Sequence, residues 1–354
     1  MDPVTHVASG LLLSQLISAP SRGWAALAGV ILAVLPDSDF FWGMNDSFAH
    51  IRYHRAFTHS LLAVPLWSLL VAGIGRLLGG PRWFYPLLFL GLAVLTTHLV
   101  LDLATSYGTQ IFSPFSRRKF TLDWIFIIDP YFTFLLLAGA LTALISPHWG
   151  RRVGAVCLAG AAFYLLLCGF YHHQALSLAR QVFQKEAQEG ATVAALPQPL
   201  SCRRWQLIAA RPGEIKQALV QLPYEAWSGV QGEIKEVRPT VAAASCPRPP
   251  AEDYRPPASL IVQDWRAASA AIPAYSNEAR HLLDIYLDFA RFPLLARVAP
   301  QKDGFLLEWV DLRFSVPGRA FPFVLQLYLD RDGGLLQGKI GRCVDNKDAP
   351  RGKS

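Results

Sequence analysis

The chain has 354 residues, 52% of them hydrophobic, with a formal net charge of +7 and a mean hydropathy of +0.27. That mean is too low for a membrane bundle throughout and too high for an ordinary soluble protein, so it points to a two-part chain. No zinc finger, RNP-type motif or sustained basic helix accompanies the positive charge, which argues against nucleic acid and leaves arginines flanking apolar segments to account for it.

Residues 1–5 contain an acid and no basic stretch, so the first apolar run is expected to stay in the mature protein rather than be cleaved as a signal peptide. Two short apolar runs, residues 7–17 and 24–35, come first and return the chain to its starting side whether they cross a bilayer or only dip into it. Four longer runs follow at 60–79, 83–103, 130–146 and 153–171, separated by turns such as Gly79-Gly80-Pro81-Arg82. Asp129-Pro130 has the form of an N-cap followed by proline at the first helical position. From about Ala175 the apolar runs stop, and residues 184–199 read as a polar continuation of the last helix, broken at Pro197 and Pro199. The rest is long enough for a core of its own. Strand-like runs at 205–209, 305–314 and 321–329 surround a helix over 278–292, and 245–257 is a proline-rich loop. The predicted fold is therefore an α-helical polytopic membrane domain over 1–175, with four long spans and two short N-terminal helices, a helical extension and linker over 176–199, and a smaller α+β extramembrane domain over 200–354. The five cysteines form no CxxC pair and imply no disulfide framework.

Counting crossings puts the polar ends of these runs on one face. His6 opens the first run, Asp37 and Asp39 close the second, His59 opens the third, and His98 and Asp102 lie near the end of the fourth. Thr97-His98-Leu99-Val100-Leu101-Asp102 is the most specific element, because an i, i+4 spacing sets imidazole and carboxylate on one helix face. Taken alone, such a pair can be an internally satisfied His/Asp contact. Ionisable groups in a span are expensive, however, and usually mark a functional interior. In His54-Arg55-Ala56-Phe57-Thr58-His59-Ser60 the two histidines would point about 140° apart on one continuous helix. They can share a metal if Thr58 is the N-cap and His54 lies in the preceding loop. Arg55 can grip a phosphate or carboxylate as a fork, or simply snorkel. In Leu35-Pro36-Asp37-Ser38-Asp39 one carboxylate can ligate while the other orients a histidine or bridges a second ion, although Pro36 followed by acids is also ordinary turn chemistry. Tyr107-Gly108-Thr109 reads as a turn that can bring a hydroxyl or amide to the site.

These motifs, in this order over about residues 1–175, resemble the YdjM-like family of membrane-bound proteins regarded as metal-dependent hydrolases. The resemblance implies that His54, His59, His98, Asp102 and the Asp37/Asp39 pair form the family's polar signature, and that the C-terminal region is the extra domain of longer members. The order His, Asp, His, His-x-x-x-Asp is also distantly similar to zinc-dependent phospholipases C. No later His-x-x-x-Glu element completes that group's trinuclear cluster.

His6, Asp37, Asp39, His54, His59, His98 and Asp102 are therefore the expected metal ligands, with Arg55 and Asp39 as the catalytic candidates. A mixed histidine and carboxylate set favours zinc, with manganese as the alternative, over magnesium. Metal-activated water would then hydrolyse an ester or phosphoester, and the site's depth suggests an amphiphile such as a membrane lipid or lipid-linked phosphate. The rival readings are a membrane protein that binds or conducts a metal ion without catalysis, and a membrane anchor for the C-terminal domain. Cations are balanced between the two faces until Arg180 and Lys185 tip the count toward a cytoplasmic site face and C-terminal domain in the inner or plasma membrane.

Overall fold

In the computed structural model, which describes residues 1–44, 46–146, 148–223, 234–237, 254–268 and 274–342, the chain divides into two units. One comprises Met1–Trp42, Tyr53–His172 and Pro197–Cys202, and the other Gly43–Arg52, His173–Leu196 and Arg203–Ser354.

The helical unit begins where Asp2 and Pro3 start a helix: the Asp2 carboxylate accepts from Thr5 N at 3.1 Å, and proline occupies a position whose N–H would be orphaned anyway. This helix, α1 (Pro3–Leu16), turns back into α2 (Arg22–Val34). The two approach so closely at Gly10 and Gly29 that a Cβ on Gly10 would lie 2.3 Å from the Gly29 carbonyl oxygen. The short α3 (Ser47–Tyr53) falls almost wholly in the other unit, and the chain re-enters this one before α4 (Ala63–Gly79) and α5 (Phe84–Ala104), which run antiparallel. Leu32, Ala72, Leu90 and Val94 tie α2, α4 and α5 into one apolar cluster. In α6 (Pro130–Ile145), Asp129 caps Phe132 N at 2.9 Å as the Asp-Pro pair predicts, and its other oxygen accepts from Tyr164 Oη at 3.0 Å. Tyr164 belongs to α7 (Gly150–Val182), and Leu12, Leu136, Ala140 and Ala161 pack α1, α6 and α7 together.

Four long spans are not what the structure shows. Two helical stretches among the described residues are long and apolar enough to cross a membrane, Pro81–Ala104 and Gly150–Val182. A third arises only if Ser47–His59 and Ala63–Gly79, bent by 70°, count together. The apolar run from residue 60 loses its first turn, because the Ser60 hydroxyl accepts from Ala63 N at 3.1 Å and starts the helix late. Thr58 is therefore not the N-cap of α4. The run from residue 130 stops at Ile145, ahead of Ser146-Pro147, and its 16 residues rise about 24 Å, short of a hydrocarbon core of roughly 30 Å.

The second unit is built on two sheets. The polar helical continuation expected over 184–199 extends only through α8 (Gln184–Gln188), after which the chain forms β1 (Thr192–Pro197), with Thr192 and Val193 favouring the strand. The remaining elements are β2 (Arg204–Arg211), β3 (Glu214–Gln221), β4 (Lys235–Val237), β5 (Ile261–Arg266), α9 (Asn277–Phe289), β6 (Pro293–Gln301), β7 (Gly304–Asp311), β8 (Val324–Asp330) and β9 (Leu335–Gly341). The sheet orders are β1-β2-β3-β5-β4 and β6-β7-β8-β9. Pro212 and Gly213, with Gly213 at φ 76°, join β2 to β3 in the two-residue turn this dipeptide suits. Ile208, Ile215 and Trp265 of the first sheet share a core with Leu294, Val310 and Val324 of the second. Buried Asp311 fixes the turn before β6: its oxygens accept from the N–H groups of Arg291, Phe292 and Arg313, and from the Arg313 guanidinium at 2.9 Å. Arg313 also stacks over Phe289 and Phe314. Most of the expected proline-rich loop, residues 245–253, and Cys246 and Cys343 lie outside the described residues.

Candidate metal centre

Alternation of helix direction brings the start of α1, the end of α2, the start of α4 and the end of α5 to one end of the helical unit. The 3₁₀ turn Pro36–Gly43 after α2 presents Asp37 and Asp39, and a second one, Phe57–His59, presents His59 ahead of α4. His98 and Asp102 share a face of the last turns of α5, where both are buried.

Four of the expected ligands converge. His59 Nε2 lies 3.3 Å from Asp37 Oδ1, 3.2 Å from His98 Nε2 and 3.2 Å from Asp102 Oδ2. His98 Nε2 lies 3.4 Å from Asp102 Oδ2 and 3.8 Å from Asp37 Oδ1. A tetrahedral ion with donors at 2.0–2.1 Å requires donor–donor edges of about 3.3–3.4 Å, so this spacing is near that of a metal-ion site.

The hydrogen bonds of the imidazoles fix which nitrogen is offered. His98 Nδ1 contacts the Ala33 carbonyl at 2.8 Å, and a carbonyl can only accept, so this nitrogen carries a proton. The Thr58 hydroxyl gives its proton to Asp39 Oδ2 at 2.8 Å and accepts from His59 Nδ1 at 2.9 Å. Both rings therefore turn Nε2 toward the common centre, the arrangement that outer partners impose on metal-binding histidines. Asp102 Oδ2, also directed there, makes no hydrogen bond of good geometry with any described residue. The donor set fits a divalent metal.

The remaining candidates surround this group. His6 stacks on His98 with ring centroids 3.7 Å apart and reaches Asp102 Oδ1 at 3.2 Å, the oxygen turned away from the four-atom group. The Met1 amino group also bonds that oxygen. Arg55 is 3% exposed, and its Nη2 grips Asp102 Oδ1 at 2.9 Å while Nη1 donates to Thr105 Oγ1 at 3.1 Å. Its guanidinium stacks over Tyr107, 4.7 Å from the ring centroid. Arg55 also takes φ 60°, rare for a residue with a side chain, which lets its N–H donate to Asp39 Oδ2 at 3.0 Å. His54 sits in the turn after α3, off any helix, with Nδ1 2.9 Å from Asp39 Oδ1. Asp37, Asp39 and His54 form a second group of neighbouring donors.

Thr58, Thr105, the Tyr107 ring and the Ala33 carbonyl join the site without having been singled out for these contacts. Thr58 lies inside the His-x-x-x-x-His motif and could have been suspected, but a backbone carbonyl leaves no trace in sequence. Burial works to raise the Asp39 carboxyl, yet the neighbouring His54 and His59 imidazoles outweigh it and hold the group well below the usual carboxylate range. Burial works the same way on Asp37, where His59 and the other neighbouring imidazoles bring it down to about 2. Beside the two imidazoles, Thr58, Val64, Trp67 and Leu95 help enclose a cavity of about 10 Å³. That is close to the space of one water molecule.

With this geometry in hand, the comparisons with known proteins give the class. Residues 1–176 match the YdjM family, described as YdjM inner membrane protein. Inner membrane protein YbcI of Escherichia coli (strain K12) is 34% identical over 133 residues, covering 34% of this chain and 72% of that protein. Uncharacterized protein YfhP of Bacillus subtilis (strain 168) is 29% identical over 179 residues, covering 48% of this chain and 53% of YfhP. The chain thus spans about half the length of YfhP. No solved structure matches it. The chain belongs to the YdjM family of membrane proteins, and its cluster of aspartates and histidines can hold a metal ion.

Proposed function

We propose that this protein is a membrane-bound, metal-dependent hydrolase that cleaves an ester or phosphoester of an amphiphile at the membrane surface. The observation that carries the reading is the convergence of His59 Nε2, His98 Nε2, Asp102 Oδ2 and Asp37 Oδ1, in which each histidine nitrogen lies 3.2 to 3.8 Å from the other three atoms.

Catalytic zinc sites keep three protein ligands and one open position, whereas four protein ligands close the shell. His59, His98 and Asp102 are each at most 3% exposed and make the natural three. Asp37, with 26% of its side chain exposed, is the carboxylate free to take a proton from water. When bound, zinc or manganese would lower the pKa of a water and polarise a carbonyl or phosphoryl oxygen. Asp39 and Thr58 orient His59, and the Ala33 carbonyl orients His98. Arg55 holds Asp102 Oδ1 and so aims Oδ2 at the centre. The lysine and arginine balance supports a cytoplasmic site face.

The test has two readouts. Elemental mass spectrometry on detergent-purified protein should find near-stoichiometric zinc or manganese, lost in His98→Ala/Asp102→Ala protein of matched fold. Lipid extracts and a panel of esters and phosphoesters should then show turnover that Asp37→Asn removes while metal content stays. Metal without turnover on any substrate would overturn hydrolysis in favour of a non-catalytic ion site, and a well-folded protein that takes up no metal would overturn both.

A further inference from the structure

At the opposite end of the helical unit, α2, α4 and the start of α5 leave an apolar groove of about 650 Å³. It is built in. Gly75 and Gly79 of α4 lie so close to Leu87 and Trp83 that a Cβ would meet their side chains at 2.1 and 2.3 Å, so these two residues press onto the α4 backbone and form the floor. Trp24 on α2, 66% exposed, and Leu78 on α4, 85% exposed, stand along it. Arg82 stands at its end, exposed and without a hydrogen bond or ion pair to any described residue.

The dimensions and charge select an occupant. The lining runs from Ser21 to Ile31 on α2, about 15 Å of rise, and from Val71 to Gly79 on α4, about 12 Å. Half of a hydrocarbon core of roughly 30 Å is about 15 Å, so the groove is one leaflet deep. Its closed floor is apolar, its cation lies where α4 hands over to α5, and tryptophans favour the headgroup level. We propose that this groove is a binding site for a single anionic phospholipid of the leaflet opposite the metal centre, with an acyl chain along α2 and α4 and the headgroup phosphate on Arg82.

The experiment is native mass spectrometry of the full chain in detergent, titrated with phosphatidylglycerol and with phosphatidylcholine of the same acyl chains. The wild type should retain phosphatidylglycerol about fivefold more tightly, the worth of about one cation near an anionic surface. Arg82→Gln should remove that preference, and Ala28→Phe, which fills the groove, should weaken retention of both lipids. Metal content in the same samples reports the distant centre and folding, and should not change, so a failed lipid site is distinguishable from a failed metal site. Equal retention of the two lipids by the wild type, or an unchanged preference in Arg82→Gln, would overturn the proposal. If Ala28→Phe does not fold, the Arg82→Gln comparison decides alone.

Discussion

Asp39 touches no atom of the four-donor group except through His59, which makes it the sharpest probe of how the centre is held. Asp39→Asn keeps size and shape. One amide oxygen can still accept from the Arg55 N–H and the Thr58 hydroxyl, now 3.0 and 2.8 Å away, while the amide nitrogen faces His54 Nδ1, which can accept in its other tautomer. What is lost is the negative charge behind the Thr58 relay that keeps the proton on His59 Nδ1. Removing an outer partner of a metal-binding histidine typically costs 10- to 100-fold in metal affinity, or about 1.4 to 2.7 kcal/mol. Asp39→Ala is harsher, because it strands the Arg55 N–H and the Thr58 hydroxyl in a buried position at roughly 1–3 kcal/mol each. That sum, roughly 2–6 kcal/mol, is a large share of the 5–15 kcal/mol a typical domain has. Competitive zinc titration against a chelating indicator, with thermal unfolding of the metal-free protein alongside, separates the two effects. Asp39→Asn should bind 10- to 100-fold more weakly with a nearly unchanged melting temperature, and Asp39→Ala should lose several degrees. Wild-type affinity in Asp39→Asn would refute the orienting role, and a complete loss of metal equal to that of His98→Ala would make Asp39 a ligand.

Other consequences are open to measurement. Gly29→Ala would place a Cβ 2.5 Å from the Gly10 carbonyl oxygen and must part α1 from α2, costing about 1–3 kcal/mol as overpacking, read in thermal unfolding. Asp311→Ala removes the acceptor of three backbone N–H groups and leaves the Arg313 cation buried, so the sheet unit should lose about 3–5 kcal/mol, and hydrogen exchange of the full chain should show β6 and β7 opening together. The Glu186–Lys216 pair, 2.9 Å apart with both side chains 16% exposed, carries a pH signature. For Glu186, burial raises the pKa but the Lys216 hydrogen bond outweighs it, so its contribution to stability is present above the unfolded value near 4.5 and fades as pH falls through the lowered folded value. For Lys216, burial lowers the pKa but Glu236 and Glu186 outweigh it, so that part is present below about 10.5 and fades as pH rises through the raised value. Lys216→Met should therefore flatten both limbs of the stability profile by less than about 1 kcal/mol, as expected for a pair near the surface. A larger effect at neutral pH would show that the side chain's packing matters more than its charge.

The gathering of the polar helix ends was more legible in the sequence than the number of spans. Every helix end bearing an expected ligand came to one end of the helical unit, because alternation of helix direction depends only on the number of apolar runs and not on whether each is long enough to cross a membrane. Length itself was obscured where the turn chemistry of Ser60 competes with apolar continuity. The i, i+4 rule foretold the shared face of His98 and Asp102, and His54 does lie off the helix, although α4 begins after Leu62 rather than at a Thr58 cap. Arg55 could not be placed from its motif, since a fork for a substrate and a fork for Asp102 look the same in sequence. In the second unit, the apolar run at 205–209 read correctly as strand, and that at 305–314 did so as far as Asp311, where Leu312–Phe314 turns into a 3₁₀ helix. β1 was hidden because Thr192–Pro197 directly follows a polar helix and earns its strand only by pairing with β2.

The strongest rival to a metal at this centre is a proton. His59 has its Nδ1 proton committed to the Thr58 hydroxyl, so a second proton, on Nε2, would give an imidazolium facing Asp37, Asp102 and His98. One N–H can satisfy one of those three atoms well. The other two would remain, with His98 Nε2 offering a lone pair to carboxylate oxygens at 3.4 and 3.8 Å, an arrangement of acceptors facing acceptors. A divalent cation satisfies His59 Nε2, His98 Nε2 and Asp102 Oδ2 at once and leaves Asp37 to face its water, and the outer hydrogen bonds already pin each ring in the tautomer it needs. His59→Gln distinguishes the two. Gln offers one amide N–H to the carboxylates, so under the proton reading it should cost little stability and the wild type should gain none from zinc. Under the metal reading, zinc at 100 times its dissociation constant should raise wild-type stability by about 2.7 kcal/mol and leave His59→Gln nearly unmoved. Equal stabilisation of the two proteins by zinc would remove His59 from the centre.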